Sequence, residues 1–309
     1  MRQITDTIFM VRPIQFRLNE ETAVNNYYQD EGVKIIDQNK KAQDEFDAFV
    51  IALQEKGIHV LVVQDRIEFD TPDSIFPNNW ISTHENGDIA LYPMFAENRR
   101  RERRPDAMEL METEGFQINN VIDYTSAEDE GIFLEGTGSL LLDRVNRKAY
   151  CSLSARADEE LMIEFCEDFE YTPVIFKAYQ TVGEERLSIY HTNVMMALGE
   201  DYAVICLDSI DDKKEAKNVL NHLKEDGKEV IKITEEQVNA FAGNMMQVHN
   251  DKGDRILVMS DQAYKSLTPM QIEKLEKYNE ILHPSISTIE TLGGGSVRCM
   301  MAEVFLPKV

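Results

Sequence analysis

Apolar positions along the chain follow two periods. Short apolar runs at Val60–Val63, Ile89–Leu91, Ser139–Leu142, Ala203–Leu207 and Ile256–Met259 predict strands. Between them, apolar residues three and four apart predict helices over Gln43–Lys56, Ala157–Phe169, Asp211–Glu225 and Thr268–Tyr278. Strands alternating with helices throughout define an α/β class. No Pro- or Gly-rich linker divides the chain, so residues 1–309 read as a single domain.

The pattern also repeats. Five segments place a small or polar residue before an apolar run: FPNNWIST at Asn79, EGTGSLLL at Gly138, YHTNVMMAL at Asn193, FAGNMMQV at Asn244 and VRCMMAEVFL at Cys299. They recur at intervals of about 55 residues, the range in which repeated supersecondary units occur. The first four are soon followed by a second strand and a helix, as in DYAVICLDSI running into DDKKEAKNVLNHL. Units that cannot bury a core alone bury one by packing together. The expectation is therefore a five-bladed, pseudo-symmetric α/β propeller of ββαβ-like modules, with the ends of the motif strands around one central pocket. Met195–Met196, Met245–Met246 and Met300–Met301 recur at equivalent positions and are expected to pack its core.

Composition narrows the function. Lys+Arg 32 against Asp+Glu 56 gives a net charge of −24. That balance argues against nucleic acid and against an anionic membrane surface, both of which draw affinity from basic side chains. The chain lacks an apolar stretch long enough for a membrane span and its N-terminus lacks the apolar run of a secretory signal, so a cytoplasmic protein is expected. Cys151, Cys166, Cys206 and Cys299 are far apart and include no C-x-x-C pair. They read as reduced thiols, and no metal site is expected.

Cys299 closes the segment Leu292-Gly293-Gly294-Gly295-Ser296-Val297-Arg298-Cys299, where consecutive glycines suit a loop that brings a thiol close to a ligand. In the five-module reading, Glu135, His191 and Cys299 occupy equivalent regions of modules two, three and five and converge. A thiol activated by a histidine that a carboxylate orients is the arrangement of a cysteine nucleophile.

These residues carry a resemblance. With Phe76-Pro77-Asn78-Asn79, Glu135-Gly136-Thr137-Gly138, His191-Thr192-Asn193, Cys299 and Leu153-Ser154-Ala155-Arg156, the chain resembles the pentein, or guanidino-group-modifying, superfamily over nearly its whole length. That family includes arginine deiminases, dimethylarginine dimethylaminohydrolases and amidinotransferases. The resemblance implies Cys299 as nucleophile, His191 as general acid/base and Glu135 as its partner. It also implies Arg156, with Arg99, on a substrate α-carboxylate, and neither metal nor organic cofactor. The partner it implies is a small amino acid; a homo-oligomer is left open.

The chain departs from the arginine deiminase pattern at Asn79 and Asn193, where that branch carries Asp, and its Glu135–Gly138 motif ends in Gly138 rather than Asp. Amides suit a neutral ureido group better than a buried guanidinium, which loses its water and needs a countercharge. Citrulline is therefore the first expected substrate, cleaved to ornithine, ammonia and carbon dioxide, as in citrulline ureidases. The alternatives are an arginine deiminase or a dihydrolase of a modified arginine, and a non-catalytic propeller that binds an amino acid.

Overall fold

The computed structural model describes residues 2–30, 32 and 35–308. β1 (Thr7–Arg12) pairs parallel with β2 (His59–Gln64). A parallel pair needs a long crossover, and the helix Gln38–Glu55 supplies it, turning Ala42, Phe46, Phe49 and Leu53 inward at helical spacing. β3 (Ile81–Thr83) then pairs antiparallel with β4 (Asp88–Leu91), and β4 pairs parallel with β5 (Asn120–Asp123). The tight turn between β3 and β4 carries Asn86-Gly87, with Gly87 at φ 86°, a conformation that glycine adopts without strain.

The same antiparallel-then-parallel order recurs. It joins β6 (Leu140–Asp143), β7 (Lys148–Ser152) and β8 (Thr172–Phe176). After the hairpin β9 (Tyr179–Val182) and β10 (Glu185–Ser188), it joins β11 (Met196–Leu198), β12 (Tyr202–Ile205) and β13 (Glu229–Lys232). It then joins β14 (Met246–His249), β15 (Arg255–Val258) and β16 (Glu280–Leu282). Finally β17 (Ala302–Glu303) returns antiparallel to β1, so the two ends of the chain build a sheet of the same kind. The described residues thus form five three-stranded sheets with one pattern, plus the hairpin. Three of the later helices start at side chains that cap them: Asp158 accepts from the Glu160 and Leu161 amides, Asp212 from those of Lys214 and Glu215, and Thr268 forms a capping box with Gln271.

Just before β3, β6 and β11 the chain makes one helical turn: Pro77–Asn79, Gly136–Ser139 and Thr192–Met195. The second of these packs against both of the others. β11 packs on β6 and β14, and β17 on β3, so the segments that precede the first strands face one another. The three methionine pairs are buried, as their repetition at apolar positions predicts.

Candidate active site

Cys299 sits in the turn between the glycine loop and β17 and is 3% exposed. Asn244 Nδ2 lies 3.2 Å from its Sγ and Asn193 Nδ2 3.5 Å, so two amide N–H groups from neighbouring repeats point at the sulfur. Asn244 also donates to the Asn193 carbonyl and accepts from the Arg298 amide, which fixes its orientation. The glycine loop is tied down on both sides. Tyr190 Oη donates to Gly294 O (2.7 Å), Asn26 Nδ2 to Gly293 O (3.2 Å), and Ser296 Oγ to Glu290 Oε1 (2.7 Å).

His191 Nε2 is 2.7 Å from Glu135 Oε2. An ionised carboxylate only accepts, so Nε2 carries the proton and Nδ1 is the basic nitrogen. Glu135 Oε1 accepts the Phe95 amide at 2.9 Å. Burial alone would raise the Glu135 carboxyl. Arg156, the His191 hydrogen bond and Arg99 outweigh it and bring the pKa down to about 2. Burial dominates at His191 and pushes it down to about 4, against the opposing pull of Glu135. The pair is therefore a carboxylate and a neutral imidazole at neutral pH. Gly138 explains why its motif ends without a side chain: a Cβ there would stand 2.4 Å from Asn79 Nδ2 and 2.8 Å from His191 Nδ1.

Arg99 and Arg156 are both buried beside this pair. Arg99 forks onto Glu102 with two 2.9 Å bonds and donates from Nη1 to Asn79 Oδ1 at 2.9 Å. That bond fixes the Asn79 amide and leaves its Nδ2 buried without a partner. Arg156 donates to Asn25 Oδ1 (2.9 Å) and Thr22 O (3.0 Å), lies over the Tyr190 ring and has Nη1 3.5 Å from Glu135 Oε2. All seven residues singled out from the sequence, Cys299, His191, Glu135, Asn79, Asn193, Arg156 and Arg99, are buried in this one region.

The structure adds a carboxylate that sequence reasoning missed. Asp73 lines the same cavity as Cys299, His191, Asn79 and both arginines. Its Oδ2 accepts from Asn19 Nδ2 (2.8 Å) and Thr22 Oγ1 (3.1 Å), while Oδ1 is buried without a partner. Burial raises its pKa, with Arg99 and the two hydrogen bonds opposing. The amide substitutions therefore do not leave the cavity free of carboxylates. Asn244 was also missed as a site residue, although it heads the fourth repeat. Among the described residues no group of three His, Cys, Asp or Glu side chains is arranged to hold a metal ion.

A buried thiol, a histidine–carboxylate pair and two arginines at equivalent points of a repeated α/β fold define the pentein superfamily of arginine-modifying enzymes. Residues 12–306 match the model of the eukaryotic N,N-dimethylarginine dimethylhydrolase family, and the chain belongs to that family. No curated protein sequence matches it. Among solved structures, it is similar in fold to ArgZ, an arginine dihydrolase from the ornithine-ammonia cycle in cyanobacteria (18% identity, TM-score 0.74), covering 98% of this chain and 41% of that one. The substrate-bound N-terminal domain of ArgZ aligns at 17% identity and TM-score 0.70, covering 97% of this chain and 99% of the domain. A dimethylarginine dimethylaminohydrolase adduct with S-methyl-L-thiocitrulline aligns at 15% identity and TM-score 0.65, covering 97% and 99%. The chain thus spans about two fifths of full-length ArgZ and the whole of its N-terminal domain.

Proposed function

We infer that this chain hydrolyses the guanidino group of arginine or an N-modified arginine through a covalent adduct on Cys299. The observation that carries this reading is Asp73 Oδ1, a buried acceptor without a partner in the cavity that also holds the thiol. A guanidinium only donates and brings positive charge, so it completes such a carboxylate. The family match supports the same substrate class. In this reading the five sheets form the five blades of a closed pentein propeller, with the cavity on its axis.

The chemistry follows from the placement. Cys299 Sγ, having given its proton to His191 Nδ1, attacks the guanidino carbon. Asn193 and Asn244 steady the charge on sulfur before attack and on its leaving after it, and Asp73 holds the guanidinium in place. His191 returns the proton to the departing amine, ammonia from arginine or an alkylamine from an N-alkylated one. The resulting S-alkylamidino cysteine is attacked by water, which gives a proton to His191, and collapse of the adduct releases citrulline and the thiol. Glu135 keeps the imidazole oriented through both transfers. Arg156 and Arg99 favour the substrate α-carboxylate.

Citrulline hydrolysis remains a second reading, and Asn79 favours it: its unpartnered Nδ2 donates to a ureido C=O as readily as Asp73 accepts from the NH2. One cavity with both an orphan acceptor and an orphan donor could carry arginine to citrulline and citrulline to ornithine in sequence. Incubating the purified protein separately with arginine, Nω-methylated arginines and citrulline, and measuring citrulline, ornithine and released amines, decides among them. Product from a guanidino substrate, absent with Cys299→Ala, supports the reading. Turnover of citrulline alone overturns it in favour of the ureidase.

A further inference from the structure

A second cavity, of about 320 Å3, shares no residue with the first. His84, Arg144, Phe169 and Tyr171 contribute to its walls. It lies at the far ends of two strands whose near ends carry the candidate active site. Asn79 and His84 flank the two ends of β3, and Gly138 and Arg144 those of β6. Each strand spans three or four residues, so about 10 to 15 Å separates the two ends.

Arg144 is 3% exposed; its guanidinium donates to the Thr83 carbonyl at 3.4 Å, lies over the face of Phe305 at 3.9 Å and stands beside the Tyr171 hydroxyl. Among the described residues no carboxylate forms an ion pair with it, although the chain carries a net charge of −24. Of the acidic side chains lining the cavity, Glu85 pairs with Arg2 and Glu170 with Arg147, while Asp168 accepts from the Tyr124 hydroxyl. A buried guanidinium without a countercharge is costly, and one left so marks a place where an anion is taken from solution. Tyr171, 6% exposed and on the wall of the same cavity, has its buried hydroxyl beside that guanidinium, with no acceptor in hydrogen-bond range for its own proton. A guanidinium and a hydroxyl are both donors, and together they fit the oxygens of one oxyanion. His84, stacked on Phe169 at 4.0 Å, and the Tyr171 ring, beneath the Arg147 guanidinium at 4.3 Å, complete the walls. The volume lies at the lower end of the range for small-molecule sites.

We propose that this cavity binds a small oxyanion, the carboxylate or phosphate group of a metabolite, through Arg144 and Tyr171. The proposal is independent of the reaction assigned to Cys299. Calorimetric titration of the wild-type protein with succinate and, separately, with inorganic phosphate tests it. The expected result is one site per chain with a dissociation constant of about 1 mM or tighter for at least one of the two probes. Binding of succinate alone assigns a carboxylate source, and binding of phosphate alone a phosphate source. Arg144→Gln is expected to weaken binding at least about tenfold, the loss of a charge-assisted bond. Tyr171→Phe is expected to weaken it about threefold to tenfold in a protein that still folds, because the hydroxyl it removes donates to no protein acceptor. Cys299→Ala is expected to leave binding unchanged. Failure of both probes to bind, binding indifferent to Tyr171→Phe in a folded protein, or binding lost in Cys299→Ala would each overturn the proposal.

Discussion

Replacing Asp73 with Asn separates the two substrates that the site chemistry admits. The carboxylate is 2% exposed, anchored through Oδ2 by Asn19 and Thr22, and its Oδ1 is the unpartnered acceptor. The substitution keeps size and anchoring but removes the charge. For a guanidinium the loss is a charge-assisted hydrogen bond and a buried countercharge together, about 2–4 kcal/mol, or about 30- to 1,000-fold in kcat/KM. For citrulline, the ureido N–H that bonded a carboxylate bonds an amide oxygen instead, at a cost of about 1 kcal/mol. Folding should not suffer: burial already disfavours the ionised Asp73, so removing its charge leaves stability at neutral pH unchanged or raised. Steady-state kcat/KM for arginine and citrulline, by ammonia release, measures the split. Equal losses on both substrates, or none on arginine, would refute the assignment of Asp73 to the guanidinium.

Further consequences concern the residues around it. His191 resists protonation down to about 4 in the folded protein but takes a proton near pH 6.5 when unfolded, so its contribution to stability is complete above pH 6.5 and lost as pH falls to 4. That loss is about 3 kcal/mol, and urea titrations of wild type against His191→Gln should show it in wild type alone; parallel pH dependences would contradict it. For the same reason the acidic limb of kcat/KM is expected near pH 4, and a limb near pH 6.5 would show that the imidazole is not held neutral. Gly138→Ala forces a Cβ against Asn79 and His191, so kcat should fall at least about tenfold with a stability loss of about 1–3 kcal/mol; full activity would mean the contact relaxes freely. Asn244→Ala removes the nearer amide donor to Cys299 and should lower kcat about 100-fold with little change in KM, whereas a KM effect alone would assign Asn244 to substrate binding.

Much of this arrangement is legible in the sequence because the fold repeats. Apolar runs predict β2, β4, β6, β12 and β15, and helical spacing predicts four of the crossover helices to within about five residues of their ends, while Pro105–Thr113, between β4 and β5, is not among them. The repeat that aligns Asn79, Gly138, Asn193, Asn244 and Cys299 also aligns the turns that bring them together, so residues more than a hundred positions apart could be assigned to one pocket. Asp73 escaped because it belongs to none of the repeats. It lies in an irregular loop, and only the folding of Asn19 and Thr22 onto it, from more than fifty residues away, brings its carboxylate to the site. The substrate inference drawn from Asn79 and Asn193 weighed one residue of the cavity wall and one that points at the Cys299 sulfur, and missed Asp73. Pairing of the N-terminal β1 with the C-terminal β17 is likewise a tertiary fact, since β17 is two residues long and carries no period of its own.

Covalent trapping on Cys299 tests the central claim most directly. Wild-type protein mixed with excess arginine, quenched in acid within one turnover and digested should show, by mass spectrometry, an adduct of arginine less ammonia on the peptide that contains Cys299. The Cys299→Ala protein should show neither adduct nor citrulline. Turnover of a guanidino substrate by Cys299→Ala, or an adduct confined to Cys151, Cys166 or Cys206, would contradict a reaction that runs through the Cys299 sulfur.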